Sequence, residues 1–255
     1  MRRPVPYLDH DRPVALAHRG FDLDGRANTM AAFAAAVAMG FGYVETDVHA
    51  TRDGVVVAFH DATLDRVTDA TGRIATLPWS AVREARIGGE PVPTLEELLT
   101  TWPPLRVTIA LKARRAIAPT VAVIERTGAH DRVCVTSFSD VRRRAALRAL
   151  SRLVATAPGS ATVAAFRAAV AVGSRRSVAR LTRDVQALQV PEQHAGVPVV
   201  TARTVAAAHA AGLAVHVWTV NDPADMHRLL DLGVDGLISD RADLLRQVLR
   251  DRGQW

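Results

Sequence analysis

Strand-like and helix-like segments alternate along this chain with a regularity that limits the folds available to it. From residue 106 onward, short apolar runs are each followed by a segment in which apolar residues recur every three or four positions. The predicted strand and helix pairs are 106–112 and 117–127, 132–138 and 140–150, 153–157 and 160–172, 185–190 and 202–211, 214–220 and 223–232, and 236–239 and 242–250. This alternation is typical of a parallel sheet covered by helices.

The first part of the chain adds two strands to this series. Residues 14–17 form the first predicted strand, and a helix that Asn28-Thr29 can cap runs to Met39, where Gly40 stops it. Residues 43–48 form the second strand. Residues 51–104 hold turns and two short helices, near 79–85 and 94–100, and we interpret them as an insertion after the second strand.

Eight strand–helix units in 255 residues predict an α/β fold of the closed (β/α)8 TIM barrel type. We expect residues 1–255 to form one domain, with the insertion at about 51–104. The alternative is a doubly wound open sheet. That fold would favour a glycine-rich turn after the first strand, and the residues that follow it, Gly20-Phe21-Asp22-Leu23, do not form one.

The barrel prediction selects a set of polar residues. Side chains at the carboxyl ends of barrel strands share one mouth, where barrel enzymes keep their chemistry. The predicted strand ends supply His18, Arg19, Glu45, Asp47, Lys112, Ser137, Gln189, Trp218, Asn221 and Asp240. So many polar side chains at one end of the barrel indicate a functional site.

Residues 42–61 contain several of the candidate functional side chains. Glu45 and Asp47 are two positions apart on a strand, so their side chains leave the same face. A Thr-Arg-Asp-Gly turn follows, and a second apolar run ends at His60-Asp61. Two carboxylates near a histidine are suited to a hard cation and to proton transfer, although acids at strand ends also serve as turn and cap residues.

A net charge of +6 is typical of some proteins that bind nucleic acid or a membrane surface. The densest basic groups, Arg142–Arg144 and Arg175-Arg176, lie in helix-like segments, however, and no aromatic residues interleave with them as a stacking surface requires. We therefore predict no nucleic-acid partner and interpret the charge as a general bias toward arginine. Against that bias, Lys112 is the only lysine of the chain, which suggests a site that needs a compact point charge.

The cysteine content and the apolar segments of the sequence indicate the cellular compartment. The single cysteine, Cys134, excludes an internal disulfide and suits a reducing compartment. The first 13 residues lack the apolar segment of a signal peptide, and the longest uncharged run, 27–44, is an alanine-rich helix followed by a strand. We expect a cytoplasmic protein without stable membrane insertion. The residue pattern does not specify an oligomeric state.

A series of motifs from Ala17 to Asp240 resembles the glycerophosphodiester phosphodiesterase family. No single motif is specific, but their order and spacing together are. They are His18-Arg19-Gly20, Asn28-Thr29 before an alanine-rich helix, Glu45-Thr46-Asp47-Val48, Thr51-Arg52-Asp53-Gly54, His60-Asp61, Asp65-Arg66, Ile109-Ala110-Leu111-Lys112, Ser137-Phe138, Val217-Trp218-Thr219-Val220-Asn221 and the run from Gly233 to Asp240.

The resemblance implies hydrolysis of glycerophosphodiesters, which are small-molecule substrates, to glycerol 3-phosphate and an alcohol. It implies that His18 and His60 are the acid and base, and that Glu45 and Asp47 bind a divalent cation, Ca²⁺ or Mg²⁺. The remaining roles that it implies are phosphate binding by Arg19 and Lys112, and packing of Trp218 against the glycerol. In the family the nucleophile is thought to be the glycerol 2-hydroxyl, which gives a cyclic phosphate that water then opens.

The chain departs from the family pattern at two alanines. Ala27 stands where the family has the glutamate of Glu-Asn-Thr, and Ala110 stands where it has an acid two residues before the lysine, as a third metal ligand. A hard-cation site that loses one of three carboxylates is expected to bind its metal more weakly. The alternative function is therefore a weakened or inactive barrel that binds a phosphorylated ligand. Asp61, Asp140 and Asp240 are the candidate substitutes for the missing acid.

The other polar residues have simpler interpretations. We expect His216, which shares a strand face with Trp218, to pack in the interior, and His49 to lie in a connection. Asp235 and Asp240 flank the last strand, where turn and cap hydrogen bonds account for them. Trp218 itself is either a substrate contact or a core residue.

Overall fold

The computed structural model describes residues 5–10 and 12–255, and in these residues eight parallel strands form a nearly closed barrel. The strands are β1 (Val14–His18), β2 (Tyr43–Ala50), β3 (Arg106–Leu111), β4 (Val133–Thr136), β5 (Ala155–Thr156), β6 (Ala187–Pro191), β7 (Ala214–Trp218) and β8 (Gly236–Ser239). Their order around the barrel is β5-β4-β3-β2-β1-β8-β7-β6. The predicted TIM barrel is confirmed, and the open-sheet alternative is wrong.

The seam between β5 and β6 is joined differently from the other strand pairs. The Gln186 amide donates to the Thr156 carbonyl at 3.1 Å, and the Gln186 side-chain oxygen accepts from the Thr156 amide at 3.2 Å. Beneath this seam, the fully buried Arg143 guanidinium lies 3.0 Å from the Asp184 carboxylate and 3.4 Å from that of Asp140. A side-chain hydrogen bond and an ion pair thus help to close the barrel beside β5, which has only two residues.

Helices cover the outside of the barrel. They are α1 (Met30–Ala38), α2 (Trp79–Val82), α3 (Leu95–Thr101), α4 (Ile117–Thr127), α5 (Asp140–Ala149), α6 (Ser160–Ala171), α7 (Arg175–Leu181), α8 (Ala202–Ala210), α9 (Pro223–Asp231) and α10 (Ala242–Asp251). Thr29 caps α1 as predicted, since its side chain accepts from the Ala32 amide. The sequence analysis missed α7, a seven-residue helix with Ser174 as its cap. No helix in the described ranges is both long and apolar enough to cross a bilayer.

Short 3-10 helices and small antiparallel pairs complete the secondary structure. The 3-10 helices are Pro6–Leu8, Ile74–Thr76, Arg114–Ala116 and Ala129–Arg132. Outside the barrel, strand Arg86–Ile87 pairs with Glu90–Pro91, and Gln193–His194 pairs with Val197–Pro198.

The segment between β2 and β3 returns the chain to the barrel mouth. Strand Val56–Ala58 pairs antiparallel with the end of β2, where Val57 is opposite His49. The Phe59 amide then donates to the Asp47 carbonyl at 2.8 Å, which places His60 beside the mouth. The rest of the segment has its own apolar cluster of Val57, Phe59, Leu64, Ile74, Val82, Ala85, Ile87 and Val92.

The barrel is packed by two apolar cores. The larger lies between the strands and the helices and includes Phe33, Ile109 and Leu245. The smaller fills the lumen, where Tyr7 packs among Leu16, Tyr43, Cys134 and Ile238. Tyr7 is fully buried, so the segment before β1 closes the amino-terminal end of the barrel.

Candidate active site

A pocket opens at the carboxyl ends of the strands. It is lined by all seven residues to which the sequence analysis gave a role: His18, Arg19, Glu45, Asp47, His60, Lys112 and Trp218. Ala110, Ser137 and Gln189, which also come from strand ends, lie in the same wall. The barrel therefore brings into one cavity residues that are up to 220 positions apart in the chain.

The turn after β1 presents His18 and Arg19 to this pocket. Arg19 and Gly20 both have positive φ, 59° and 83°, so the chain reverses directly behind the histidine. A Cβ on Gly20 would lie 2.6 Å from the Ala32 carbonyl carbon, because α1 begins immediately against the turn. Glycine is required at residue 20 for both reasons.

Asp47 is the centre of the charged cluster. Its carboxylate lies 3.2 Å from Lys112 Nζ and 2.9 Å from Arg19 Nε, although the arginine contact is not aligned as a hydrogen bond. Lys112 also lies over the ring of Phe138, 5.7 Å from its centroid. With Glu45 ionised, the two positive and two negative charges of this cluster cancel.

Glu45 is buried one strand layer below Asp47. Burial, and then the negative charge of Asp47, raises the pKa of Glu45 to about 7. Its Oε2 atom lies 3.6 Å from His18 Nε2 and has no hydrogen-bond partner among the described residues. Additional positive charge in the pocket would therefore favour the ionised form of Glu45.

Each pocket histidine is held by a carboxylate at Nδ1. His18 Nδ1 lies 2.5 Å from Asp240 Oδ1, and His60 Nδ1 lies 2.6 Å from Asp61 Oδ1. Asp240 in turn accepts from the Asn221 side-chain amide at 2.9 Å, and Asp61 accepts from Arg66 Nε at 2.6 Å. A carboxylate that accepts from Nδ1 leaves Nε2 of the imidazole for the reaction.

These contacts alter the ionisation of both pairs. Burial opposes protonation of His18, but the hydrogen bond that it donates to Asp240 and the charge of Glu45 outweigh burial and raise the pKa of His18. The hydrogen bond from Arg66, aided by that from His60, lowers the pKa of Asp61 to about 2. Asp61 therefore stays ionised and accepts from His60 at any pH near neutrality.

The structure corrects the interpretation of three residues. Asp240, for which turn and cap hydrogen bonds or a substitute metal ligand were the expected roles, instead contacts His18, 222 residues away in the sequence. His49 was expected in a connection, but it lies buried on β2 with Nε2 3.1 Å from the His60 carbonyl oxygen. Asp140 is not near the pocket charges: it caps the start of α6 by accepting from the Gly159 and Thr162 amides.

Two oxygen atoms in the pocket are of the type that a divalent cation binds. Glu45 Oε2 and Asp47 Oδ2 are buried carboxylate oxygens without a hydrogen-bond partner among the described residues. The third family position, Ala110, is paired with Asp47 across β2 and β3 and lines the pocket, so it contributes space and no oxygen. Asp61 and Asp240 do not replace it, because both are engaged by the histidines. Accordingly, no group of three or more His, Cys, Asp or Glu residues in the described ranges forms a metal cage.

Two aromatic side chains form one side of the mouth. Trp218 and Phe138 meet edge to face with ring centroids 5.8 Å apart. Phe138 is 61% exposed, so an apolar surface is open to solvent beside Lys112. Sequence reasoning gave Trp218 a role but not Phe138, although Ser137-Phe138 directly follows a strand.

Comparison with known proteins agrees with this geometry. Residues 18–244 match the model of the glycerophosphoryl diester phosphodiesterase family. A probable glycerophosphodiester phosphodiesterase 2 from Mycobacterium tuberculosis is 49% identical over 253 residues, which cover 98% of this chain and 96% of that protein. A glycerophosphodiester phosphodiesterase from Caldanaerobacter subterraneus is 25% identical over 95% of this chain and the whole of that protein.

Solved structures agree on the fold. A crystal structure of a protein from Silicibacter pomeroyi superposes with a TM-score of 0.80 at 23% identity, over 98% of this chain and 99% of that one. A phosphodiesterase from Oleispira antarctica, solved in complex with the product sn-glycerol-3-phosphate, gives a TM-score of 0.77 at 24% identity, over 94% and 97% of the two chains.

The fold and the pocket therefore define a (β/α)8-barrel phosphoric diester hydrolase. Within that class, the chain belongs to the glycerophosphoryl diester phosphodiesterase family.

Proposed function

We propose that this enzyme hydrolyses glycerophosphodiesters to glycerol 3-phosphate and an alcohol, by histidine acid–base catalysis with a divalent cation. The observation that carries the proposal is the pair of histidines, each held at Nδ1 by its own carboxylate, in the same pocket as one charged cluster. Membership of the family and the product complex of the Oleispira antarctica protein support the same substrate class.

Arg19 and Lys112 are proposed to bind the phosphate. A guanidinium presents a planar fork to two phosphate oxygens, and an ammonium acts as a point charge. In the present arrangement both cations face Asp47. The diester oxygens would occupy the space above this carboxylate and share its two cationic partners, which stabilises the charge that builds on the equatorial oxygens.

His18 and His60 are proposed to move the protons. One imidazole accepts the proton of the attacking hydroxyl, which is the glycerol 2-hydroxyl or water, through its free Nε2. The other donates a proton to the oxygen of the departing alcohol as the P–O bond breaks. Such transfers contribute roughly 100- to 10,000-fold each. Asp240 and Asp61 keep both imidazoles in the tautomer that exposes Nε2.

Glu45 and Asp47 are proposed to hold the cation, Ca²⁺ or Mg²⁺, through Glu45 Oε2 and Asp47 Oδ2, which accept no hydrogen bond from the described residues. When bound, a divalent cation polarises the phosphoryl oxygen and neutralises developing charge. With Glu45 ionised, the cluster by itself has no net charge to attract an anionic diester. The positive charge of the cation would supply that attraction. Because Ala110 supplies no third carboxylate, we expect a high metal requirement.

The test is a coupled assay of glycerol 3-phosphate release from glycerophosphocholine across calcium and magnesium titrations. Ala110→Glu places a carboxylate opposite Asp47 and should lower the half-activating metal concentration, on the order of tenfold. The matched control is Ala164→Glu on the exposed face of α6, which should leave the titration unchanged.

Three outcomes decide between hydrolysis and binding alone. An active wild type whose metal requirement falls in Ala110→Glu supports a working enzyme with a weakened site. A silent wild type that Ala110→Glu rescues indicates an intact catalytic frame without its metal. Silence in both proteins, together with thermal stabilisation by glycerol 3-phosphate, would favour the alternative of a barrel that binds a phosphorylated ligand without hydrolysing it.

We further propose that the whole chain acts as one domain in the cytoplasm. Cys134 is a buried free thiol in the lumen, which is compatible with a reducing compartment.

A further inference from the structure

A chain of four buried polar side chains crosses the lumen below the charged cluster. The Tyr7 hydroxyl lies 2.6 Å from Thr108 Oγ1, Gln189 Nε2 lies 3.2 Å from the same oxygen, and Gln189 Nε2 is also 3.3 Å from His216 Nδ1. All four are less than 9% exposed, and Tyr7 and His216 are fully buried. Thr108 and Gln189 also line the pocket, so this chain is its floor.

The chain determines how the Gln189 amide is oriented. Gln189 Nε2 lies 3.2 Å from Thr108 Oγ1 and 3.3 Å from His216 Nδ1, and it donates to both when the His216 proton is on the ring Nε2. Burial lowers the pKa of His216 to about 4, so the ring is neutral near pH 7 and Nδ1 can accept. In this arrangement the donor end of Gln189 faces Thr108 and His216 in the lumen.

The acceptor end of Gln189 is the part that remains for a ligand. No hydrogen bond to Gln189 Oε1 occurs from any described residue. Gln189 is opposite His216 in the register of β6 and β7, and Trp218 lies two residues further along β7. Gln189 and Trp218, the glycerol contact that the family resemblance implies, therefore line neighbouring parts of one pocket.

An amide oxygen only accepts hydrogen bonds, so the group that binds Gln189 Oε1 must supply a donor. The oxygens of an ionised phosphodiester are acceptors only, so they gain nothing from a second acceptor. The glycerol group carries two hydroxyl donors, of which the 2-hydroxyl is next to the reacting phosphorus. The terminal hydroxyl is the donor that reaches away from the phosphate.

We propose that Gln189 is a specificity-determining residue whose Oε1 accepts a hydrogen bond from the terminal hydroxyl of the glycerol group. This inference rests on the proposed function for its substrate, and it goes further by naming which hydroxyl is recognised and by which atom. The three other members of the buried chain act as positioning residues, because they hold the amide in the orientation that presents its oxygen.

The first test needs no variant. Calorimetry should show that wild type, in saturating magnesium, binds glycerol 3-phosphate at least tenfold more tightly than 2-hydroxypropyl phosphate, which lacks only the terminal hydroxyl. A polar site left without its partner typically produces discrimination of this size or more. Equal affinity for the two phosphates would overturn the proposal.

The second test assigns the discrimination to Gln189. Gln189→Met keeps the length of the side chain without the acceptor, and should reduce the affinity for glycerol 3-phosphate to that for 2-hydroxypropyl phosphate. Its affinity for 2-hydroxypropyl phosphate should stay within about threefold of wild type, since that ligand never used Oε1. A merely structural role would weaken both ligands equally and refute the assignment. The control Gln193→Leu, on an exposed strand after β6, should retain the wild-type ratio.

A turnover experiment separates this proposal from the proposed function. We would compare glycerophosphocholine with 2-hydroxypropyl phosphocholine as substrates for wild type. Equal turnover of the two would support the hydrolase and refute the Gln189 subsite. No turnover of either, combined with tenfold discrimination between the phosphates in calorimetry, would refute hydrolysis and support the subsite.

Discussion

The two pocket histidines obtain their carboxylate partners in different ways. His60 is followed directly by Asp61, so its partner is local in sequence. His18 takes Asp240 from the end of β8, which pairs with β1 in the barrel. In both cases a short contact at Nδ1 fixes the tautomer, and the carboxylate also stabilises the imidazolium that forms when Nε2 takes up a proton.

At the scale of single residues, Asp240→Asn should therefore impair catalysis more than binding. The asparagine amide no longer supplies a full charge and can present a donor to Nδ1, so His18 loses both its preferred tautomer and its stabilised imidazolium. We expect kcat on glycerophosphocholine to fall roughly 100- to 10,000-fold with KM changed little. Steady-state kinetics at saturating metal measures both constants.

The matched control is Asp251→Asn, an exposed aspartate at the end of α10, which should keep the kinetics of wild type. If Asp240→Asn retained kcat within about threefold, His18 would not depend on this carboxylate, and its proposed part in proton transfer would have to be abandoned.

At the scale of elements, the turn from β1 to α1 decides where His18 and Arg19 point. The Arg19 amide donates to the Glu45 carbonyl at 2.9 Å, and the Arg19 carbonyl accepts from the Asn28 amide at 2.8 Å. Asn28 also accepts from the Thr46 hydroxyl at 2.8 Å. These hydrogen bonds hold the turn against both β2 and the start of α1, so its conformation can change little.

Replacing Gly20 should accordingly cost more stability than replacing a glycine of similar φ in open space. Gly54 has φ 88°, and a Cβ there would meet no heavy atom within 4 Å, whereas Gly20 has φ 83° and its Cβ would meet the Ala32 backbone at 2.6 Å. We expect Gly54→Ala to lower the free energy of unfolding by about 1 kcal/mol, and Gly20→Ala by about 3 kcal/mol.

Urea unfolding of the two variants beside wild type measures this difference, provided that the three m-values agree. Equal losses would show that α1 moves away readily, and that positive φ alone explains Gly20.

At the scale of the whole molecule, the barrel lumen is partly polar. His216 is fully buried on β7, and its Nε2 has no hydrogen-bond partner among the residues that the structure describes. Burial, with a smaller contribution from His10 that Asp235 opposes, lowers the pKa of His216 to about 4. Between pH 6.5 and 4, the His216 imidazole therefore takes up a proton more readily in the unfolded chain than in the folded state.

This difference predicts a loss of stability in mild acid. Above pH 6.5 the imidazole is neutral in both states and contributes nothing to the pH dependence. As the pH falls from 6.5 toward 4, the unfolded state takes up the proton first, so the free energy of unfolding should fall by up to roughly 3 kcal/mol from this group. Urea unfolding at pH 7, 6, 5 and 4 follows the change.

The comparison variant is His216→Gln, which should show a shallower loss over that range. His194→Gln, on an exposed strand, should keep the wild-type slope. Parallel curves for His216→Gln and wild type would indicate that His216 is protonated in the folded state and that the lumen is more polar than its packing suggests.

Local patterns in the sequence were sufficient for most of the secondary structure. Helix α4 and strand β8 have the predicted bounds, because each is delimited by its own apolar pattern and flanking residues. Helix α7 was missed, since its seven residues are mostly arginine and small residues with one buried side chain, Val178. Strand β5 is only two residues long where five were predicted, because its neighbour β6 pairs through the Gln186 side chain.

What the sequence by itself determined is the barrel and the membership of its mouth, because strand ends and helix starts are set by residues that are neighbours in the chain. Only the tertiary structure decided the partners: that Asp240 holds His18, that Arg19 and Lys112 converge on Asp47, and that Ala110 is paired with Asp47 across two strands. The physical reason is that an ion pair or a ligand site depends on distances between strands, and barrel closure brings together residues that no local pattern relates.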